Sequence, residues 1–171
     1  MPVDVEEKEW DNLQIIFATS AGDVRRNALS DFTNVRSNGK IAMDLNEGIE
    51  LVNARIAGED DDVMLFTDSG RAIRFSTTAV RVFKGRKSTG VRGIKLLRTD
   101  KVVSMSVIRH FIATPDERSA YLKMRRAVSG LVDEETSLDE EEVSENATIS
   151  PDRYAEMSAA ENLILTITAG G

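Results

Sequence analysis

Apolar residues along this chain come in short runs, often alternating with polar ones, and turn residues separate the runs. Gln14 to Ala18, Val24 to Asn27, Lys40 to Leu45 and Glu50 to Ile56 each read as a strand. Gly22, Gly39 and Gly48 stand between them, where hairpin turns favour positive φ, and Asn38-Gly39 is a strong hairpin dipeptide. Ile15, Phe17, Ile41, Met43, Leu45, Leu51, Met64, Leu65, Phe66, Ile73, Phe75, Ile94, Leu96, Val102 and Val107 are the predicted core. Phe32 and Phe83 lie between strands and are expected to pack on a sheet edge.

The runs recur. FATSAGDVRR (Phe17 to Arg26) and LFTDSGRAIR (Leu65 to Arg74) share Thr, then Gly three residues on, then Arg four further, at an offset of 48 residues. GKIAMDLNEGIELV from Gly39 and GVRGIKLLRTDKVV from Gly90 are related at an offset of 51, so a three-residue insertion lies between the halves of the second copy. LILTITAGG (Leu163 to Gly171) opens a third copy, with Thr168 and Gly171 standing as Thr19 and Gly22 do in the first. Four strands per repeat of roughly 40 to 50 residues is the pattern of a propeller blade. A β-sandwich of unrelated hairpins or a tandem of small barrels would also supply short strands, but neither predicts an offset kept for both halves of the unit.

Between the second and third copies the strand period lapses. Pro115 to Ser129 has apolar positions at helical spacing, with Thr114 as N-cap and Pro115 at the first helical position, and a second helix starts at Ser150-Pro151 and runs to about Ala160. Asp133 to Asn146, with eight acidic residues in fourteen, reads as a disordered acidic segment. The predicted organisation is therefore an acidic lead-in (1–12), blade repeat one (13–61), blade repeat two (62–112), a helical and acidic insertion (113–160) and the first strand of a third repeat (161–171). The fold class is all-β, with propeller-like four-stranded blades and a partly helical insertion.

Charge sharpens this picture. The net charge of −7 divides into −4 over residues 1–13, +5 over 14–112 and −8 over 113–171. Ser69 to Thr99 holds nine Lys and Arg and no Asp or Glu, an arrangement whose mutual repulsion is relieved by a polyanion. With no Cys and one His (His110), disulfides, thiolate metal sites, most His-based zinc sites and an ordinary Ser-His-Asp triad are excluded, which argues against an autonomous hydrolase. No window approaches the roughly 18 consecutive apolar residues of a membrane span, and the first ten residues are acidic where a signal peptide would be basic, so membrane insertion and secretion are not expected. Thr67 to Gly70 with Asp68 is expected to be a hairpin turn, not a metal loop.

The run VMLFTDSGRAIRFSTTAVRVFKGRKSTGVRGIKL (Val63 to Leu96), preceded by NGKIAMDLNEGIELV and followed by LILTITAGG, closely resembles the C-terminal domain of bacterial DNA gyrase A. The likeness covers about Asn12 to Arg109 and Asn162 to Gly171. It implies a β-pinwheel, a propeller-like disc whose neighbouring blades exchange a strand and whose basic outer rim wraps DNA. It further implies two interior blades and the opening of a third. The partners implied by the resemblance are double-stranded DNA, the rest of gyrase A, and gyrase B in a heterotetramer, in a bacterial cytoplasmic setting at the chromosome and with no membrane. ATP and Mg2+ belong to that whole enzyme, a type IIA DNA topoisomerase, and no cofactor to this chain. The implied function is sequence-independent DNA wrapping in support of ATP-dependent negative supercoiling. The family's catalytic tyrosine lies outside the matching region, since Tyr121 and Tyr154 fall in the insertion, so no residue here is expected to cleave DNA.

The family's hallmark heptapeptide, Gln-Arg-Arg-Gly-Gly-Lys-Gly, is absent, and its counterparts are SNGK (Ser37 to Lys40) and STGVRG (Ser88 to Gly93), which fits interior blades. The corresponding C-terminal domain of topoisomerase IV, or a propeller-type module binding an acidic protein, are the alternative readings. The candidate DNA-binding residues are Arg71, Arg74, Arg81, Lys84, Arg86, Lys87, Arg92 and Lys95 in the second repeat, and Arg25, Arg26, Arg36 and Lys40 in the first. Gly85, Gly90 and Gly93 are expected to let backbone N–H groups approach phosphates. Arg55 and Arg109 are expected to balance local acids, and His110 to be structural. The acidic run Asp133 to Glu145 either competes with DNA for the basic stretch or is a solvated linker.

Overall fold

The computed structural model describes residues 10, 12–32, 37–97, 99–129 and 148–165, which fall into a β unit up to His110 and a helical unit from Phe111 onward. Among the described residues no helix is long and apolar enough to cross a membrane. The β unit contains β1 (Gln14–Thr19), β2 (Asp23–Ala28), β3 (Leu51–Ala57), β4 (Asp61–Thr67), β5 (Ala72–Ser76), β6 (Val91–Arg92) and β7 (Val102–Arg109). They form two sheets, in the orders β3-β1-β2-β6 and β5-β4-β7, with every neighbouring pair antiparallel.

The two repeats build the turn after their first strand in the same way. The buried hydroxyl of Thr19 accepts the Asp23 N–H at 3.2 Å, and that of Thr67 accepts the Arg71 N–H at 3.2 Å. Gly22 donates to the Thr19 carbonyl at 2.9 Å and Gly70 to the Thr67 carbonyl at 3.0 Å, with φ of +85° and +80°. Pairing slips by a bulge between Ala18 and Thr19 in one sheet and between Phe66 and Thr67 in the other. The Thr-x-x-Gly spacing of the repeat is thus turn chemistry: the hydroxyl closes the turn, and glycine takes a left-handed φ without a Cβ clash.

The fourth strand of the first sheet comes from the second repeat. β6 pairs with β2 through Asp23↔Arg92 and Val24↔Val91. At the offset of 51, Val91–Arg92 correspond to Lys40–Ile41, and Lys40 to Leu45 is not a strand as the alternation predicts but chain without regular pairing. The reason is the same exchange: a segment of this kind pairs with the β2 of a preceding repeat, and no such repeat lies among the described residues.

Sheet one packs on sheet two through Ile16, Ala18 and Val24 against Val63, Leu65 and Met105, with Val80, Ile94 and Val102 completing the core. Phe17, Leu65, Ile94 and Val102 of the predicted core are buried, but Ile41 (65% exposed), Leu45 and Leu51 are exposed, and Ile15, Met43, Phe66 are half-buried along with Ile73, Phe75, Leu96 and Val107. Met64 is half-buried as well. Alternation marks two apolar faces without saying which one a neighbouring sheet covers. Phe83 is buried, and Phe32 packs on Phe17 with ring centroids 5.7 Å apart.

In the helical unit α1 (Pro115–Ser129) and α2 (Pro151–Ala160) have the predicted bounds. The Glu117 N–H donates to Thr114 Oγ1 at 3.1 Å while the Thr114 N–H donates to Glu117 Oε2 at 2.8 Å, a reciprocal cap on α1. The Arg153 guanidinium on α2 donates to Glu117, Glu156 and the Ile112 carbonyl and lies 4.9 Å from the centre of the Phe111 ring. Tyr121 packs on Tyr154 and its hydroxyl bonds Glu161. The acidic run Asp133 to Asn146 lies outside the described residues; Asn162 to Leu165 is without strand pairing, and the rest of the predicted third-repeat strand is outside the described residues.

Gly90, at φ +105°, lies where a Cβ would come 2.1 Å from the Val24 carbonyl oxygen, whereas Gly70, at φ +80°, has nothing within 4 Å of that position. Gly90→Ala combines left-handed strain with a backbone collision and should destabilise by about 3 kcal/mol or more. Gly70→Ala carries the strain alone, about 1 to 2 kcal/mol. Urea denaturation of the two variants checks the ranking.

Candidate nucleic-acid interface

β6 is the edge strand of sheet one, and the part of the basic stretch from Val82 to Arg92 runs along that sheet's outer edge, whereas Arg71 and Arg74 belong to the β4–β5 hairpin of sheet two. Val82 bridges to Arg26 in parallel, the Phe83 N–H donates to the Arg26 carbonyl at 2.7 Å, and the chain rejoins β2 at Val91–Arg92. The loop between these two attachments carries Lys84, Arg86 and Lys87.

The predicted cations separate into three groups. Lys84, Lys87, Arg92 and Lys95 are exposed, and none makes an ion pair or side-chain hydrogen bond among the described residues. Arg81 is exposed and stacks on the Phe83 ring, 3.8 Å from its centre. These five form the candidate surface.

A second group is already engaged. Arg71 pairs with Asp100 at 3.2 Å and donates to the Lys95 carbonyl at 2.8 Å. Arg74 pairs with the buried Asp62 at 2.7 Å. Arg86 is half-buried and donates to the Ile41 carbonyl at 2.9 Å, and Lys40 Nζ donates to the Asp31 carbonyl at 2.8 Å. Arg109 faces Asp60 at 3.7 Å, the acid balance expected of it.

Arg25 and Arg26 correct the prediction of a rim position: both are buried, Arg25 at 0% exposure, with their guanidiniums on protein acceptors. Arg25 donates to the carbonyls of Arg86 (2.6 Å), Ser88 (2.7 Å) and Ala42 and lies over the Phe17 ring; Arg26 donates to Gln14 Oε1 at 3.4 Å. Burial lowers the Arg25 pKa, with Asp44 opposing and Arg86 adding to the effect, and burial likewise lowers that of Arg26 against the pull of Glu59. Arg36 lies outside the described residues.

The glycines also differ from expectation. Gly90 and Gly93 are spaced for protein packing: a Cβ on Gly93 would meet Leu65 and Val24 at 3.0 Å, and its N–H donates to the Gly22 carbonyl at 2.8 Å. Gly90 donates to Ser88 Oγ at 3.1 Å. Their N–H groups serve the exchanged strand and its approach, while Gly85 stands in open space.

The acids flanking the basic stretch are held by its own arginines. Burial works to raise the Asp62 pKa, but hydrogen bonds from His110 and Arg74 outweigh it and leave the carboxyl below its ordinary value. His110 Nδ1 lies 2.9 Å from Asp62 Oδ2, which gives this histidine its structural place. For Asp100, desolvation is outweighed by the Ser69 hydroxyl and N–H, Thr67 and Arg71, and the pKa falls to about 2. Among the described residues no three His, Asp or Glu gather as a metal site.

A lowered folded-state pKa contributes stability above the ordinary carboxylate range and loses it as the pH falls through the folded value. Asp62→Asn should therefore cost about 1 to 2 kcal/mol at neutral pH, discounted because Arg74 is half exposed. The difference from the unaltered chain should narrow toward about pH 3, checked by urea denaturation at both pH values.

Comparison with known proteins gives a consistent result. Residues 14–57 and 61–109 match the model of the DNA gyrase C-terminal domain, described as a beta-propeller. DNA gyrase A of Granulibacter bethesdensis is 44% identical over 182 aligned positions, covering 100% of this chain and 19% of its own length. DNA gyrase A of Rickettsia prowazekii is 40% identical, again over 100% of this chain and 19% of its own. The chain thus spans about a fifth of the length of these curated relatives. A solved DNA gyrase A C-terminal domain superposes with TM-score 0.51 at 28% identity, over 57% of this chain and 32% of that one. A DNA topoisomerase IV C-terminal domain superposes with TM-score 0.56 at 23% identity, over 68% and 34%, a likeness of fold.

Proposed function

Because the chain belongs to the DNA gyrase C-terminal domain family, we propose that it binds and wraps double-stranded DNA along the outer edge of sheet one, without reading its sequence. The observation that carries this reading is the set of exposed cations, Arg81, Lys84, Lys87 and Arg92 along the edge of sheet one and Lys95 just past β6, without a carboxylate partner among the described residues. Lys and Arg on such an edge neutralise phosphates and release counterions. The edge is built of strand and loop and carries no recognition helix, so contacts to the DNA backbone and the ease of bending decide where it binds.

Within a whole gyrase, a heterotetramer of gyrase A with the ATP-hydrolysing gyrase B, such wrapping supports negative supercoiling in the bacterial cytoplasm. DNA cleavage, ATP and Mg2+ belong to the rest of that enzyme. Relatives at about 40% identity are gyrase A proteins, which favours this reading over topoisomerase IV.

Duplex DNA should bind with an affinity that falls steeply between about 50 and 200 mM salt. Replacing Lys84, Lys87, Arg92 and Lys95 together by Ala should reduce the slope of log affinity against log salt by about 3.6, at about 0.9 per phosphate contact. Fluorescence anisotropy measures both, and an unchanged slope in a folded variant would overturn the placement.

A further inference from the structure

Beside Arg86, which ties itself to the Ile41 carbonyl, two side chains that are not on the basic loop hold it. β2 turns Arg25 and Asn27, two residues apart, to the same side, and both are fully buried. Arg25 donates to the carbonyls of Arg86 and Ser88, at 2.6 and 2.7 Å, and to that of Ala42. Asn27 Nδ2 donates to the carbonyls of Phe83 at 2.7 Å and Gly85 at 3.3 Å. Four carbonyls of one six-residue stretch, 83–88, therefore face inward onto two side chains of the preceding repeat.

This arrangement has a chemical bias. Arg25 is a buried cation whose two terminal guanidinium nitrogens are engaged by carbonyl dipoles. Its planar fork can hold two backbone oxygens of one loop at once, which an ammonium on a flexible stem does less well. Carbonyls drawn inward leave the outer side of the loop to Lys84 and Lys87, both exposed. A partial negative charge that would otherwise stand beside an incoming phosphate is thereby turned away from it.

We propose that Arg25 and Asn27 are positioning residues for DNA binding: they order the loop 83–88 before DNA arrives and aim its lysines outward, without touching DNA. This rests on the DNA reading above. Ordering the loop in advance removes a conformational entropy loss from the binding step, so affinity depends on two residues that contribute no phosphate contact.

The test uses the full chain and duplex DNA of about 40 base pairs, with anisotropy read across about 50 to 200 mM salt. Arg25→Met and Asn27→Leu, which keep an unbranched and a branched side chain respectively and remove the donors, should each weaken binding about five- to tenfold. Both should leave the salt slope unchanged, because every exposed cation remains. Lys84→Ala with Lys87→Ala should instead lower the slope by about 1.8. Wild-type affinity in a folded Arg25→Met and a folded Asn27→Leu variant, or a slope reduced as in the double lysine variant, would overturn the positioning role alone. Absence of wild-type binding at the lowest salt would overturn the DNA reading and this role with it. A measurement on the unaltered chain decides the matter if the variants do not fold: backbone 15N order parameters over 83–88 should be about 0.8 or higher without DNA and change little with it. Values below about 0.6 that rise on DNA binding would show that DNA, not β2, orders the loop.

Discussion

A sheet edge left open to water exposes a row of unpaired N–H and C=O groups, and the outer edge of β2 is such an edge within its own repeat. Chain from the second repeat closes it: Phe83 at the Arg26 carbonyl, and Val91–Arg92 at Asp23 and Val24. The remaining features of the β unit follow from that closure. The stretch between the two attachments must bow outward as a loop; Gly90 must lack a side chain to let it pass over Val24; and Gly93 and Ile94 are delivered into the space between the sheets. The closure also spans a long stretch of sequence, so the first sheet is complete only once the second repeat is in place.

Much of this is legible in the residues. The Thr-x-x-Gly turns, the strand positions in the first halves of both repeats and the bounds of both helices follow from local rules, because a turn hydroxyl, a positive-φ glycine and a capping threonine act within a few residues. Lys40 to Leu45 reads as a strand and is not one, because strandedness there depends on a partner in another repeat, which a period-two pattern does not report. Ile16 and Ala18 escape the predicted core for a similar reason, since β1 is apolar on both sides and only the neighbouring sheet selects one.

The candidate site is half legible for an electrostatic reason. Counting cations finds the basic stretch but does not distinguish an arginine aimed at water from one neutralised at home. The repeat itself holds a signal for two of them: at the offset of 48, Arg26 and Arg74 correspond, as do Gln14 and Asp62, and each arginine bonds the residue that corresponds in its own sheet. A repeated arginine whose partner position always carries an acceptor is a structural pair. Arg25 corresponds to Ile73, an apolar position, and that correspondence is the sign that its guanidinium is enclosed.

The contact between the two sheets has a direction. Ile16 and Ala18 of the first sheet meet Val63 and Leu65 of the second, and the counterparts of Val63 and Leu65 at the offset of 48 are Ile15 and Phe17, on the opposite side of β1. The front of one sheet therefore rests on the back of the next, and the open groove lined by Ile15, Phe17, Phe32, Ala42 and Ala54 is the back that the first sheet still shows. Such a joint is unlike a two-fold handshake, in which a surface is used up by its own mirror. It behaves as a one-way coupling, in which every added unit renews the surface it consumes. The rotation per joint alone decides whether a series closes on itself as a ring or winds on as an open screw.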